Sequence, residues 1–143
     1  MVKGGKPLKE PQSSQKKLTI FITIDTEDGY FDIPHLITGE GINGEPGIDK
    51  IMELLNKYKF KGNFFTNVYE HIRYNPETLP DIVKSIHEKG HAVELHSHAD
   101  KNLSFYQHAI YNYNLQDQIK ILQYGVDCLQ QWIGIKPIAY RGG

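Results

Sequence analysis

The densest chemistry in the chain lies where the run His91-Ala92-Val93-Glu94-Leu95 gives way to His96-Ser97-His98-Ala99-Asp100. If this run is a strand, successive side chains point to opposite faces, so His96 and His98 share one face at its end while Leu95 and Ser97 share the other. Neutral imidazole and carboxylate oxygen are ligands that Zn²⁺ accepts, and a catalytic zinc site needs about three of them plus an open position for water. Two further groups could join them. Asp25-Thr26-Glu27-Asp28-Gly29 follows the apolar run Leu18 to Ile24, and Arg141 stands near the end. Taken singly, each has an ordinary reading as an acidic turn, a surface or core histidine pair, or a solvated arginine. His35, in a stretch punctuated by glycine and proline, reads as a surface histidine.

The elements between these groups decide whether they can meet. Leu18 to Ile24 is rich in β-branched and aromatic residues without polar alternation, the pattern of a strand buried on both faces of a parallel sheet. Tyr30 to Pro46 has no steady period and reads as a long loop able to wall a cleft. From Gly47 the period becomes helical, with Ile48, Ile51, Met52, Leu55 and Tyr58 on one stripe. Asn63 to Val68 reads as the next strand, with Phe64 and Phe65 as core. Pro76, Leu79, Ile82, Val83 and Ile86 form a second amphipathic helix stopped by Gly90. His91 to Leu95 is the third strand and Asn102 to Asn114 a loop or short helix. Leu115, Ile119, Leu122, Val126, Leu129, Trp132 and Ile133 then define a third helix, and Ile138-Ala139-Tyr140 opens a fourth strand.

Strands alternating with helices argue for βαβ units and a parallel sheet or barrel. Ligands in such folds sit beyond the carboxyl ends of the strands. Asp25, Glu27 and Asp28 follow the first strand, His96, His98 and Asp100 the third, and Arg141 the fourth, so all should reach one rim. Acids, imidazoles and a guanidinium on one rim are the composition of a metal hydrolase: the metal makes water more acidic, a carboxylate takes the proton, and a cation orients that carboxylate.

The same residues carry a family resemblance. Gly90 to Leu103 is similar to the polysaccharide deacetylase (NodB-homology, carbohydrate esterase) pattern G-H-E-I-x-x-H-[ST]-x-x-H-x-x-L. Lys61-Gly62-Asn63-Phe64-Phe65 resembles that family's K-A-T-F-F strand, Ile24 to Gly29 its first acidic motif, and Ala139 to Gly143 its arginine motif. The resemblance implies an α/β fold, the N-terminal part of a (β/α) barrel over residues 18–143; residues 1–17, rich in Lys, Pro, Gly and Ser, read by composition as a flexible leader. It also implies a divalent-metal hydrolase, with Zn²⁺ the expected ion, that removes N-acetyl groups from an amino-sugar glycan. By position, Asp25 would be the general base and Arg141 would hold it. Glu27 would be the carboxylate ligand, with Asp28 the alternative. His96 would be the first histidine ligand and Ser97 a helper hydroxyl. Asp100 stands where the pattern has its second histidine, so the third ligand would be Asp100 or, with a shift of the loop, His98. The chain also stops inside the arginine motif, leaving the family's later strands and final catalytic histidine unrepresented.

Composition is compatible with this and excludes other classes. Sixteen basic residues against seventeen acidic ones, without long runs of one sign, offer no footprint for nucleic acid or an anionic membrane. Leu18 to Ile24 is too short to span a membrane and Met1 to Lys17 is no convincing signal peptide, which makes the cytoplasm the default compartment. The single cysteine, Cys128, falls in a helical pattern and reads as a small buried hydrophobe. With about half a barrel expected, homo-oligomerisation is one way to cover the open edges. The competing reading is a non-catalytic glycan- or metal-binding remnant, in which Tyr30, Phe31, Tyr106, Tyr111 and Tyr113 would contact sugar. A different His-x-His metal hydrolase ranks last, because such enzymes carry the pair after their first strand and not their third.

Overall fold

A computed structural model describes residues 18–27, 37, 47–72, 78–98 and 109–143. Four strands, β1 (Ile22–Thr26), β2 (Gly62–Asn67), β3 (Ala92–Ser97) and β4 (Tyr140–Gly142), form one parallel sheet in the order β1-β2-β3-β4. Helices α1 (Ile48–Lys57), α2 (Thr78–Glu88) and α3 (Leu115–Ile133) lie between successive strands, so the expected alternation is present. Short 3₁₀ turns at Val68–Ile72 and Ile110–Asn112 complete the described elements. No helix among the described residues is long and apolar enough to cross a membrane. The leader, residues 1–17, lies outside the described residues, as do His35, Tyr30, Phe31 and Tyr106.

Register sorts the side chains into two faces. Asp25 pairs with Phe65 and Phe65 with Glu94, while Asn67 pairs with His96 and His96 with Arg141. Residues level across a parallel sheet share a face, so these six side chains lie on one side, called here the inner face. The other side carries Ile24, Phe64, Val93 and Leu95, which join Met52, Leu55, Val83, Ile86, Ile121 and Leu129 of the helices in one core. Close approach rather than side-chain bulk fixes two of these contacts. A Cβ on Gly62 would stand 2.7 Å from the Phe64 ring and 2.8 Å from Leu55. A Cβ on Gly125 would stand 2.6 Å from Leu95 and 2.9 Å from the Tyr69 hydroxyl.

Local signals account for the helix ends. The Asn114 side chain accepts from the Asp117 backbone N–H and donates to its carboxylate, capping α3. Gly134 ends that helix at φ 75° and Gly90 follows α2 at φ 84°, left-handed positions that favour glycine.

Three expectations need correction. The first strand is Ile22–Thr26, not Leu18 to Ile24, and it is not buried on both faces: Leu18, Ile20 and Phe21 are exposed, because β1 is the edge of the described sheet and nothing described lies over that end. On α3 the buried residues are Ile121, Gly125, Cys128 and Leu129, while Leu115 and Ile119 are exposed. The helix meets β3 at Gly125, which turns its buried side about a quarter turn from the stripe of largest side chains. The fourth strand begins at Tyr140, since Ile138 and Ala139 give their N–H groups to the Glu94 side chain instead of a strand partner. Cys128 is buried as expected, and burial pushes its thiol pKa up.

Candidate metal centre

At the carboxyl end of the sheet two strands deliver three ligand side chains to one point. Glu27 leaves β1, His96 is the penultimate residue of β3, and His98, two residues after His96 and just past the strand's end, lies on the same face. Their ligand atoms all lie within 4.8 Å of one another. The Glu27 carboxylate is 3.2 Å from His98 Nε2 and 3.7 Å from His96 Nε2, and the two imidazoles meet edge to face with centroids 4.8 Å apart.

Proton placement follows from the partners. His96 Nδ1 lies 2.9 Å from the Arg141 backbone carbonyl, which can only accept, so Nδ1 carries hydrogen. In the neutral ring Nε2 is then a bare lone pair aimed toward an anionic carboxylate. Two imidazole nitrogens and a carboxylate converge here closely enough to share one positively charged partner. A divalent cation fits: the donor set is nitrogen and oxygen, and a backbone carbonyl fixing the tautomer of a liganding histidine is the usual outer support.

Beside this cluster, the Arg141 guanidinium donates a hydrogen bond to the Asp25 carboxylate and lies over the Phe65 ring, 4.3 Å from its centroid. Asp25 is half exposed, and the bond from Arg141 fixes its orientation. A cleft of about 140 Å³, lined in part by Asp25, Glu27, Ile37 and Ile48, opens next to the two acids.

The structure therefore brings together Asp25, Glu27, His96, His98 and Arg141. Asp28 and Asp100 lie outside the described residues. Ser97 points the other way, buried, with its hydroxyl 2.7 Å from that of Tyr140. Of the aromatic residues expected at a sugar surface, Tyr111 is exposed and Tyr113 half-buried, both on the turn before α3. Sequence reasoning missed the polar residues around the cluster. Asn67, level with His96, accepts from the His98 N–H at 3.4 Å and donates to the buried Glu70 carboxylate at 3.0 Å. Its place two residues after Phe65 in one strand was the available signal.

Comparison with known proteins adds an independent line. The chain is similar in fold to the catalytic domain of a peptidoglycan N-acetylglucosamine deacetylase from Eubacterium rectale (TM-score 0.54, 17% identity). It is also similar to a polysaccharide deacetylase from Bacillus cereus (0.53, 18%) and to the peptidoglycan deacetylase PdaC from Bacillus subtilis (0.55, 19%). In each case 85% of this chain is aligned, against 43%, 46% and 47% of the other. The chain thus spans less than half the length of these structures, and its four strands and intervening helices form a half-barrel. No curated protein matches it. The sequence profile described as polysaccharide deacetylase matches residues 12–142, so the chain belongs to the polysaccharide deacetylase family.

Proposed function

We propose that this chain carries the N-terminal half of the active site of a divalent-metal hydrolase that removes N-acetyl groups from an amino-sugar glycan. The convergence of Glu27, His96 and His98 beside an Arg141-held Asp25 carries the reading. Support also comes from the family and from the deacetylase names of its structural neighbours.

In this reading Glu27, His96 and His98 hold the cation, Zn²⁺ by their chemistry, and the Arg141 carbonyl keeps the His96 lone pair on the liganding nitrogen. When bound, the ion supplies Lewis acidity that polarises the acetamide carbonyl and makes water easier to deprotonate. Asp25, half exposed and oriented by Arg141, takes the proton as water adds to the carbonyl carbon. The carbon–nitrogen bond then breaks, the proton passes to the departing nitrogen, and the products are acetate and a free amine. Ser97 has no part in these steps, since its hydroxyl is buried against Tyr140.

The test is acetate release from a chitin oligomer or N-acetylated peptidoglycan fragment with Zn²⁺ supplied, using both the 143-residue chain and the full reading frame that contains it. Release that Asp25→Asn abolishes while zinc stays bound supports the hydrolase. Zinc bound with no release from the full reading frame favours the binding remnant.

A further inference from the structure

One polar side chain on the inner face has no part in the steps above and is nevertheless almost buried. Glu94, 6% exposed, sits two residues before His96 on β3. Its Oε2 accepts two hydrogen bonds, from the backbone N–H of Ile138 and that of Ala139, each 2.8 Å long. A buried carboxylate is costly unless hydrogen-bonded, and bonds to a charged acceptor are about twice as strong as neutral ones. Its partners belong to the residues between α3 and β4, where Ile138 is itself 94% exposed and so gains little from burial. The Leu95 N–H donates to the Ala139 carbonyl at 3.3 Å, extending the same tie. Two residues later the backbone reaches Arg141, whose carbonyl fixes His96 and whose guanidinium holds Asp25.

We propose that Glu94 is a positioning residue for the centre, setting through Ile138 and Ala139 the place of Arg141 and hence both the His96 tautomer and the Asp25 rotamer. The proposal rests on the reading of Glu27, His96 and His98 as a cation site. β4 is only three residues long and forms the edge of the described sheet, so its own ladder is a weak constraint. A carboxylate clamping two successive N–H groups supplies what the short ladder lacks. Because one oxygen accepts both bonds, a glutamine amide oxygen can replace it. An aspartate, one methylene shorter, keeps the charge but loses the reach.

The experiment titrates Co²⁺ into the purified chain, following its visible absorption, alongside Glu94→Ala, Glu94→Asp, Glu94→Gln and His96→Ala, with amide hydrogen exchange on the same samples. Outer supports of metal ligands typically contribute 10–100-fold in affinity, so Glu94→Ala and Glu94→Asp should bind Co²⁺ about tenfold more weakly with an altered spectrum. Both should also lose exchange protection at Ile138 and Ala139, while Glu94→Gln stays near wild type. Should Glu94→Ala fail to fold, the contrast between Glu94→Asp and Glu94→Gln still decides, since it sets reach against charge. Wild-type Co²⁺ affinity and spectrum in Glu94→Asp, or equal losses in the aspartate and glutamine variants, overturn the positioning role alone, provided His96→Ala weakens binding. If the wild type takes up no Co²⁺, or His96→Ala binds as well as wild type, the cation site fails and this inference with it.

Discussion

On the helix-covered face of the sheet Phe64, Val93 and Leu95 pack with side chains of all three helices. One residue along on the other face, Phe65 lies under a guanidinium, Glu94 clamps backbone and His96 meets a carboxylate. The same strands build both, and the two-residue period separates them. The helix side stores stability although it is not wholly apolar: among the described residues the buried Thr26 and Thr66 hydroxyls, level with each other on that side, find no hydrogen-bond partner. On the inner side Glu94 is satisfied by backbone and Asp25 by Arg141, while Glu27, His96 and His98 turn their remaining ligand atoms toward one another. Chemistry can therefore change on one face without reopening the core on the other.

The sharpest way to break this division is to truncate neighbours. Leu95→Ala should cost about 3 kcal/mol of stability, the usual range for a buried leucine, and leave cation affinity nearly unchanged once folded. His96→Ala, one residue away, should do the reverse, losing cation affinity with a smaller loss of stability. Urea unfolding and metal titration on both variants check this, and parallel losses in the two would mean that the faces are not independent. A medium effect is expected where helix and strand touch. Gly125→Ala places a methyl against Leu95 and the Tyr69 hydroxyl, whose bond to the Ile121 carbonyl ties the 3₁₀ turn to α3. Overpacking there should cost about 2 kcal/mol without moving the cation site. Thermal unfolding reads it.

The smallest effect is in pH. His91, just before β3, has Nδ1 accepting from the Gly62 N–H and a buried, unpartnered Nε2. Burial, then the nearby Lys61 and Lys89 charges, lowers its pKa below the ordinary 6.5. The folded state thus binds this proton less readily than the unfolded chain. The stability it contributes is full above pH about 6.5 and is lost as the pH falls from there toward the lowered value. His71, lowered by burial, acts in the same direction. His91→Asn keeps an acceptor for Gly62 but removes the titration, so the acid-side slope of unfolding free energy should flatten relative to wild type. An unchanged slope would remove His91 from the account.

How much of this was legible in the sequence depends on the range of the interaction. Helical stripes at Ile48, Met52 and Leu55 and at Leu79, Val83 and Ile86 marked α1 and α2, because burial there is a matter of local period. Strand alternation alone placed His96 and His98 on one face, and strand order placed Asp25 and Arg141 beside them. What failed depended on neighbours distant in the chain. Leu18, Ile20 and Phe21 are as apolar as any core segment, yet no described element lies over them. The buried side of α3 follows Gly125, whose importance is the absence of a side chain. Glu94 lies in an apolar run, and its partners are 44 and 45 residues away. Asn67 looked like the end of a strand and not the support of a histidine.

The central claim is that Glu27, His96 and His98 hold one divalent cation. Crystals of the chain soaked in Zn²⁺ and measured at the zinc absorption edge test it directly. The account predicts one strong anomalous peak at bonding distance from the Glu27 carboxylate and from Nε2 of both histidines. A peak held by Asp28 or Asp100 in place of Glu27 or His98, or none between these residues at saturating zinc, would contradict it.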